Sequence, residues 1–439
     1  MKAVFLCGGR GKRMFPIADD KFLLDFLGKP LLQHQIEMTR DAGLSHFVII
    51  GNPQNTAKIK QITKGIPGIE AEFALQKRAS GIADALKSAR PFLNGQVLVI
   101  NPNDVFSGSA YAKILAAAKR SAAPSYMLGY KVQEYFPGGY LEVDSRNELV
   151  HIVEKPGAGN EPSNLVNILI HCHNDAEELL RYIETVETTR DDVYECALDN
   201  MVQAGHKIKV VPYSGFWAPI KYPWHIFKVM EHFLDSARPY VAPSARVSEK
   251  AIVEGKVVLG DNVKVFENAV IRGPAYIGAN SVIGSNSLVR DYSHIGSNSV
   301  VGYCTEVKHS YIGDNCWFHS NYVGDSVVDD DCSLGAGAVL ANFRLDEDNV
   351  RIEVGDTLVD TGYDKLGAII GRGCRIGVNA SLMPGVRVGP GSFVGPQVCL
   401  SEDVAANKMA LLEPRYQVSS NKTRLDKGKR RKLLGKLNG

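Results

Sequence analysis

The sequence predicts two domains of different type, an α/β domain in the first half and a parallel β-helix in the second. Up to about residue 235, short β-branched or apolar runs alternate with longer helical segments, which is typical of crossover units around a largely parallel sheet. From about Val241, an aliphatic residue followed by glycine recurs, from Leu259-Gly260 to Val394-Gly395. Most intervals between these glycines are multiples of six residues, the hexapeptide period of a β-helix.

The composition excludes several classes of protein. The chain has 439 residues, of which 45% are hydrophobic, with 50 basic residues against 48 acidic ones. It can therefore bury more than one core, and its near-neutral charge argues against a basic, nucleic-acid-binding body. No run approaches the ~18 apolar residues that a membrane helix needs, and we expect no signal peptide. The scattered cysteines form no CxxC pair, so we expect reduced thiols and a cytoplasmic location.

In the first half, three short strands and two helices are predicted before a closing helix. In chain order, these five elements are expected at 2–7, 30–42, 46–50, 83–92 and 96–100. The closing helix follows Pro223, where apolar residues recur at helical spacing and form one stripe. Arg238-Pro239 ends that helix, because proline cannot continue it.

The repeat determines the domain boundaries and reveals one interruption. We expect the α/β domain over residues 1–237, the β-helix over 238–410 and a basic tail over 411–439. In each repeat, the aliphatic residue is expected to point into the core and the glycine to supply the turn conformation. Residues 342–366 interrupt the period. Loops that leave a solenoid usually cluster on a functional face, and a plain surface excursion is the alternative.

A glycine-rich loop follows the first predicted strand. It reads Gly8-Gly9-Arg10-Gly11-Lys12-Arg13. Backbone N–H groups of such a loop bind phosphate, and the basic side chains add charge. The loop is not a P-loop, and it lacks the third glycine of a dinucleotide fingerprint.

A short histidine and cysteine run lies in another predicted strand. His171-Cys172-His173 would place two histidines on one face, but no third ligand is near in the sequence. A partly buried strand is therefore favoured over a metal site.

The segment from Leu6 to Leu32 resembles the opening of sugar-1-phosphate nucleotidylyltransferases. Further segments match that family in order, and they are Gln76 to Gly81, Asn103-Asp104, 153–156 and 163–167. With the hexapeptide half included, nearly the whole chain is similar to the bifunctional sugar-1-phosphate nucleotidylyltransferase/N-acetyltransferases. This resemblance implies a Rossmann-like mixed sheet followed by a left-handed β-helix, homotrimeric assembly, Mg²⁺, and acetyl-CoA as co-substrate.

The resemblance implies roles for residues of the first half. The implied nucleotide-binding positions are Leu6, Gly8, Gly9, Gly11, Arg13, Gln76 and Gly81. The implied sugar-phosphate-binding positions are Lys21, Glu154 and Asn167, and Asp104 is the implied Mg²⁺ ligand. In this chemistry a sugar phosphate attacks the α-phosphate of a nucleoside triphosphate, expected to be UTP, and expels pyrophosphate. Because two anions must approach each other, Arg13 and Lys21 are the expected catalytic cations.

The chain departs from the family's pattern at this site. The second metal aspartate of a Trp-x-Asp-x-Gly-x-Pro segment is Pro219 here, and the glycine is Lys221. Lys12, Ile82 and Asn103 stand where the family has threonine, threonine and glycine. A cation at Lys221 would partly replace the lost charge of a second metal ion.

The second half carries an acetyl-transfer pattern. By the resemblance, the sugar-phosphate-binding positions are Arg290, Lys308, Tyr322, Asn342 and Lys365, and the acetyl-CoA-binding positions are Ala336 and Ala338. An ammonium must lose a proton before its nitrogen attacks a thioester, and a neutral imidazole is a suitable base near physiological pH. His319 is therefore the expected base, with glucosamine 1-phosphate or galactosamine 1-phosphate as the acceptor.

Two alternative functions stay open at this point. Pro219 favours an acetyltransferase whose first half is inactive or regulatory. A non-catalytic assembly subunit is the other alternative, because subunits of a translation-initiation nucleotide-exchange factor combine similar halves. Arg13, Lys21, Asp104 and His319 argue against it, since a scaffold has no reason to keep all four.

The tail differs in charge from the rest of the chain. From Arg415 to Gly439, nine residues are basic and one is acidic. A solvated, disordered tail is the simplest interpretation. The resemblance adds a second one, contact with the CoA phosphates at a neighbouring subunit, and attachment to nucleic acid or a membrane is the third.

Overall fold

The computed structural model describes residues 1–9, 11–120, 123–188, 192–413, 416–422, 424 and 426–437. Arg10 of the glycine-rich loop lies outside the described residues. In the part of the chain that the structure describes, no helix is long and apolar enough to span a lipid bilayer.

The first domain is an α/β domain built around one mixed sheet. Its strands are β1 (Lys2–Leu6), β2 (Asp25–Phe26), β3 (Lys29–Pro30), β4 (His46–Gly51), β5 (Glu70–Leu75), β6 (Val97–Ile100), β7 (Asp104–Phe106), β8 (Ser125–Lys131), β9 (Gly139–Val143), β10 (Leu149–Glu154), β11 (Leu165–His173), β12 (Ile208–Tyr213) and β13 (Trp217–Pro219). Its helices are α1 (Leu31–Asp41), α2 (Thr56–Lys64), α3 (Gly81–Ser88), α4 (Ser109–Arg120), α5 (Ala176–Thr185), α6 (Val193–Gln203) and α7 (His225–Ser236). Short 3₁₀ turns cover Lys12–Met14, Lys21–Leu23 and Arg90–Phe92.

The sheet joins a parallel half to an antiparallel half. Its order is β10-β9-β11-β6-β1-β4-β5, and β8 and β12 continue it beside β11. Strands β5, β4, β1 and β6 are parallel, whereas β11 runs antiparallel to β6 and to β8. The carboxyl ends of four parallel strands therefore meet at one edge, and this edge carries the first site.

One predicted helix has the wrong bounds. The segment expected at 83–92 begins as α3 at Gly81 and ends at Ser88, and a separate 3₁₀ turn covers Arg90–Phe92. Pro91 explains the break, because proline cannot donate the hydrogen bond that would continue the helix. The closing helix is confirmed as α7, and its apolar stripe is buried.

The second domain is a parallel β-helix with three faces. The first face stacks Tyr240–Val241, Val257–Leu259, Ala275–Ile277, Ser293–Ile295, Tyr311–Ile312, Val327–Val328, Ile369–Ile370 and Arg387–Val388. The second stacks Arg246–Val247, Lys264–Val265, Val282–Ile283, Val300–Val301, Trp317–Phe318, Ser333–Leu334, Arg375–Ile376, Phe393–Val394 and Met409–Ala410. The third stacks Ile252–Glu254, Val270–Arg272, Leu288–Val289, Glu306–Lys308, Tyr322–Gly324, Val339–Leu340, Ser381–Leu382 and Cys399–Leu400. A last helix, α8, covers Lys427–Leu437 in the tail.

Coils of unequal length explain the irregular glycine intervals. Ile283 pairs with Val301 one coil on, so that coil has 18 residues. The next pairs are Val301 with Phe318 and Phe318 with Leu334, which shortens the coils to 17 and then 16 residues. The deletions fall where the second domain carries its acetyl-transfer pattern.

The expected role of the repeated glycines is wrong. They do not supply the left-handed turns, which belong to asparagines such as Asn262, Asn280 and Asn298, with φ of 57°, 60° and 56°. These side chains also hydrogen-bond from coil to coil at 3.1 and 3.2 Å. Glycine is required by close stacking, because a Cβ on Gly278 would lie 2.5 Å from the backbone nitrogen of Ser297 in the next coil.

The interruption at 342–366 is not a plain surface excursion. It contains an antiparallel hairpin of Arg351–Val354 with Thr357–Asp360. Ile352 and Leu366 are buried in one apolar cluster with Trp224 and Phe227 from the first domain. The segment therefore helps to join the two domains. It leaves the coil after the third-face strand Val339–Leu340 and rejoins it before the first-face strand Ile369–Ile370.

Polar contacts also hold the junction between the domains. The backbone N–H of Leu27 donates to Nε2 of His294 at 3.2 Å, and the Tyr311 hydroxyl donates to the Asp25 carbonyl at 3.0 Å. Arg372 binds Asp19 at 2.7 Å and Asp330 at 2.8 Å. The contacts of Leu27, Tyr311 and Asp19 join the two domains directly, and Asp330 holds Arg372 at their interface.

We expect Asp25→Asn to stabilise the protein at pH 8. Burial raises the pKa of Asp25 to about 6, and the like charge of Asp314 adds to that effect. A carboxyl with a raised folded pKa costs stability as the pH rises from about 4 to about 6. The variant should therefore unfold at a higher Tm at pH 8, with little difference at pH 4. If the variant and the wild-type protein had equal Tm values at pH 8 as well as at pH 4, this account of the junction would be contradicted.

Candidate functional site

The carboxyl ends of the four parallel strands form the wall of a cavity of about 680 Å³. The predicted nucleotide-binding residues that line this cavity are Leu6, Gly8, Gly9, Gln76 and Gly81. Asn52 and Asn101, which directly follow β4 and β6, complete the wall at this edge. Ligands of open α/β sheets bind outside such strand ends, so the cavity has the expected place for a nucleotide.

Gln76 connects the glycine-rich loop to α3. A Cβ on Gly8 would overlap the Gln76 side chain, so only glycine permits this approach. The Gln76 amide nitrogen donates to the Gly81 carbonyl at 3.1 Å and to Asp84 at 2.9 Å. Its predicted contact with a nucleotide is therefore combined with a structural role. Gly11 differs from the other loop glycines, because it lines a neighbouring cavity instead.

A second cavity of about 550 Å³ adjoins the first one. Both share Gly81, Ile82 and Asn101 in their walls. The predicted residues that line the second cavity are Arg13, Gly81, Asp104, Glu154 and Asn167. Lys155 and Tyr222, which also line it, lie in segments that the resemblance covered, whereas the lining residues Phe136 and Tyr194 were not predicted. Phe136 comes from a loop and Tyr194 from α6, neither with a repeated pattern, so their grouping depends on the tertiary fold.

Asp104 lines the second cavity among positive charges, and it lies 3.3 Å from the amide nitrogen of Asn101, which lines both cavities. Burial raises the pKa of Asp104 to about 6, and the cations of Lys221 and Lys21 act against that rise. Burial lowers the pKa of Lys21 to about 8, and the nearby charge of Arg13 lowers it further. Arg13 and Lys221 line the second cavity with Asp104, and Lys21, which lines neither cavity, adds a third cation near that carboxylate. This charge pattern suits phosphate groups.

Lys221 is held in place by the loop before β9. Burial lowers its pKa to about 8, while the charge of Asp104 favours its protonated form. Its Nζ donates to the Pro137 carbonyl at 2.8 Å and lies 3.5 Å from the centre of the Phe136 ring. His225 fixes the same segment, because its Nδ1 contacts the Lys221 backbone N–H at 3.2 Å.

The residue opposite Asp104 cannot bind a metal through its side chain. Pro219 in β13 pairs with Asp104 in β7, so the departure noted in the sequence lies directly across from the predicted ligand. Among the described residues, no three His, Cys, Asp or Glu side chains are grouped to hold a metal ion. Mg²⁺ is commonly held by one or two carboxylates together with substrate phosphates and water. Asp104 therefore fits one such ion, and the site does not fit a second.

The buried histidines of β11 support the side of the second cavity that Asn167 and Tyr194 line. His171 contacts Asn167 at 2.7 Å through Nε2 and the Tyr194 hydroxyl at 2.8 Å through Nδ1. His173 also reaches that hydroxyl, at 3.0 Å. Burial keeps the pKa of His171 well below its ordinary value. The run is thus a buried strand that positions Asn167 and Tyr194, as favoured over a metal site.

In the second domain, coil stacking brings the predicted acceptor residues to one corner. Register places Arg290 above Lys308 at the end of the third face. Lys308 binds Asp325 at 2.8 Å, and the Asn342 amide donates to the same carboxylate oxygen. The Tyr322 hydroxyl lies 3.4 Å from Asn342.

Lys365 and Asp325 complete this corner. The exposed Lys365 forms an isolated β-bridge with Phe343, next to Asn342, and its Nζ lies 5.7 Å from the Phe343 ring centre. Asp325, which the sequence did not single out, connects Lys308 to Asn342. The sequence shows Asp325 only as one polar residue of a motif. Its partners become clear when the coil register is known, because they come from neighbouring coils.

His319 lies at a different corner of the same coil. It is exposed and follows the second-face strand Trp317–Phe318, whereas Lys308 ends a third-face strand. The corner is shaped by Asn321, whose side chain accepts from the His319 backbone N–H at 2.7 Å and donates to the Ala338 carbonyl at 3.1 Å. The predicted Ala336 lies in the turn that stacks on this corner. Within one chain, the expected base and the acceptor residues therefore lie at opposite ends of the third face.

Comparison with known proteins agrees with this two-domain architecture. Residues 2–220 match the nucleotidyl transferase family, and residues 256–291 and 367–402 match the bacterial transferase hexapeptide repeats. The coils are consistent with a left-handed β-helix. The first-domain match also extends to a glucose-1-phosphate thymidylyltransferase of Neisseria gonorrhoeae, 28% identical over 40% of this chain and 63% of that protein.

Two relatives match nearly the whole chain. A bifunctional sugar-1-phosphate nucleotidylyltransferase/acetyltransferase of Sulfurisphaera tokodaii is 31% identical over 92% of this chain and 98% of its own length. The bifunctional protein GlmU of Methanococcus maripaludis is 34% identical over 93% of this chain and 96% of its own length. Both alignments span the two domains and the junction. The chain therefore belongs to the family of bifunctional sugar-1-phosphate nucleotidylyltransferase/acetyltransferases.

Proposed function

We propose that this chain makes a UDP-N-acetyl-amino sugar in two steps. Its second domain transfers acetyl from acetyl-CoA to glucosamine 1-phosphate or galactosamine 1-phosphate. Its first domain then transfers uridylyl from UTP to the acetylated sugar 1-phosphate and releases pyrophosphate. The observation that carries the proposal is the pair of adjoining cavities, the second of which is lined by Asp104 and Lys221. Lys21 lies close enough to act on the pKa of Asp104. One cavity suits the nucleotide, and the other suits the sugar phosphate.

In the nucleotidyl step, charge and positioning do the catalytic work. Arg13 and Lys21 draw the sugar phosphate and the α-phosphate together, against their mutual repulsion. Glu154 and Asn167 orient the sugar, and the backbone of Gly8 and its neighbours holds the nucleotide. A single Mg²⁺ bound at Asp104 would neutralise charge on the triphosphate.

In the acetyl step, Lys308, Arg290 and Lys365 bind the phosphate of the amino sugar. Tyr322 and Asn342 hold its hydroxyls and amine. His319 removes a proton from the ammonium so that the nitrogen can attack the thioester carbonyl, and the thiolate of CoA leaves. Since His319 and Lys308 lie at opposite ends of one face, we propose a homotrimer in which neighbouring chains complete each site. The backbone near Ala336 and Ala338 binds acetyl-CoA.

The expected cellular location is the cytoplasm. All eight cysteines are free thiols, a state that suits a reducing compartment.

The two half-reactions test the proposal separately. For the first domain, pyrophosphate release is measured with Mg²⁺, UTP or dTTP, and a panel of sugar 1-phosphates. For the second, CoA release is measured with acetyl-CoA and amino-sugar 1-phosphates. CoA release without pyrophosphate from any pair would favour the second candidate, an acetyltransferase with an inactive first domain, for which Pro219 is the supporting observation. Release of neither product would leave an assembly role.

Lys221→Ala is expected to lower kcat of nucleotidyl transfer roughly 10–10²-fold. The side chain supplies one charge-assisted contact from a largely buried position, and such a contact contributes roughly 1.5–3 kcal/mol. Acetyl transfer should not change, because Lys221 belongs to the other domain's cavity. The measurement is steady-state pyrophosphate release over a range of Mg²⁺ concentrations, with calorimetric binding of UTP as a second readout. Lys207→Ala, a change at an exposed lysine of the same domain, is the matched control; an equal loss in both variants would contradict the assignment.

A further inference from the structure

A polar chain links the acceptor corner of the β-helix to helix α7 of the first domain. Its central member is His309, which directly follows Lys308. His309 Nδ1 lies 2.9 Å from one oxygen of Asp325, and its Nε2 lies 2.7 Å from Glu231 in α7. The other carboxylate oxygen of Asp325 accepts hydrogen bonds from Lys308 Nζ and from the Asn342 amide.

His309 and Asp325 occupy matching positions in consecutive coils. Lys308 pairs with Gly324 in the third-face register, so His309 stacks on Asp325. Both residues have φ of 43°, a left-handed conformation that few side chains other than asparagine, aspartate and histidine adopt. The imidazole is therefore fixed by its backbone as well as by two carboxylates.

The charge of His309 suits this arrangement. Its side chain is 19% exposed and that of Asp325 is 6% exposed. Both ring nitrogens face carboxylates, so both donate only when the ring is protonated. Hydrogen bonds and charge from Asp325 and Glu231 outweigh burial and raise the pKa of His309 to about 9.

The other end of this polar chain, helix α7, reaches the second cavity of the first domain. Helix α7 begins at His225, whose Nδ1 contacts the Pro219 carbonyl at 2.8 Å and the Lys221 N–H at 3.2 Å. Lys221 lines that cavity. Helix α7 thus contacts the Pro219–Lys221 segment through His225, and it contacts His309, the partner of Asp325, through Glu231.

We propose that His309 is a positioning residue for acetyl transfer, which fixes Asp325 against Glu231 so that Lys308 and Asn342 are held ready for the amino-sugar phosphate. The inference rests on the acetyl transfer of the proposed function. His309 itself touches no substrate. By the same contacts, α7 makes the geometry of the acetyl-acceptor corner depend on the first domain.

His309→Ala should raise the KM for glucosamine 1-phosphate about tenfold, because its loss leaves Asp325 free to move Lys308 and Asn342. The KM for acetyl-CoA and the kcat should change less than about twofold. Glu231→Gln should raise the same KM about threefold, since one of the two anchors of His309 remains. In the double variant the two effects on KM should not add, because both substitutions interrupt the same polar chain of contacts.

The matched control is Asp235→Asn on the same helix. Asp235 also joins the domains, through the Tyr292 hydroxyl at 3.0 Å, but it does not contact Asp325 in the described contacts. This variant should leave the KM for glucosamine 1-phosphate unchanged. His309→Gln, which keeps one donor, should restore part of the KM.

Three results would overturn the inference. They are an unchanged KM in active His309→Ala and Glu231→Gln variants, an equal rise in Asp235→Asn, or equal effects on both substrates. If His309→Ala fails to fold, which a Tm measurement shows, the Glu231→Gln variant decides alone. A wild-type chain without acetyl transfer would instead remove the proposed function, and this inference with it.

Discussion

His319→Ala is expected to lower kcat of acetyl transfer by roughly 10²–10⁴-fold, the range for loss of a general base. The physical reason is that an ammonium has no lone pair, so its nitrogen cannot attack acetyl-CoA until a base removes a proton. Nucleotidyl transfer should be unchanged, because the first domain carries its own site. The measurement is thiol release from acetyl-CoA with glucosamine 1-phosphate in excess, beside pyrophosphate release from the same preparation.

Ser320→Ala provides the matched control for His319. Ser320 is exposed at the same corner, and its backbone carbonyl accepts from the Gly337 N–H at 2.8 Å, a contact that the substitution leaves intact. We expect this variant to keep wild-type kcat. A His319→Ala variant with unchanged kcat would rule out this residue as the base, whatever its effect on KM.

The second large effect is expected for Lys21→Met, with a loss of roughly 10²–10³ in kcat of nucleotidyl transfer. Lys21 is the cation beside both Arg13 and Asp104, and methionine preserves much of its length without its charge. Phosphate repulsion in the transition state then has one fewer counter-charge. The assay is single-turnover formation of the nucleotide sugar, with acetyl transfer as the internal control. Lys64→Met, at an exposed position of α2, should have no effect.

The pH dependence of the same reaction follows from the two lysines. Burial lowers the pKa of Lys21 and of Lys221 to about 8. A lysine with a lowered pKa loses its charge as the pH rises through that value, so kcat/KM should fall above about pH 8. Lys21→Arg keeps a permanent charge and should weaken the fall. A profile of the wild-type enzyme that stays level to pH 10 would contradict the role of these cations.

The fold was largely predictable because each domain has a strong local period. The repeat of aliphatic residue and glycine predicts stacked coils. It remains recognisable although the coils vary in length among 18, 17 and 16 residues. The reason for the glycines was not predictable, because coil-to-coil approach is a tertiary property. In the chain, Asn280 provides the turn, and Gly278 provides the space.

The candidate sites were predictable only in part. Motif resemblance identified Arg13, Asp104 and His319, and the first two line one cavity. It missed Asp325 and His309, whose contacts depend on how a shortened coil stacks and on a helix 78 residues away in sequence. Local patterns carry no information about such pairings, so the polar chain at the domain junction appears only in three dimensions.

The most direct test of the bifunctional account is a single reaction analysed by mass. The full chain is incubated with glucosamine 1-phosphate, acetyl-CoA, UTP and Mg²⁺, and the products are identified by mass spectrometry. The account predicts a UDP-N-acetyl-amino sugar, with one pyrophosphate and one CoA released for each product. Accumulation of the acetylated sugar phosphate without nucleotide sugar or pyrophosphate, from this acceptor and from galactosamine 1-phosphate, would contradict it.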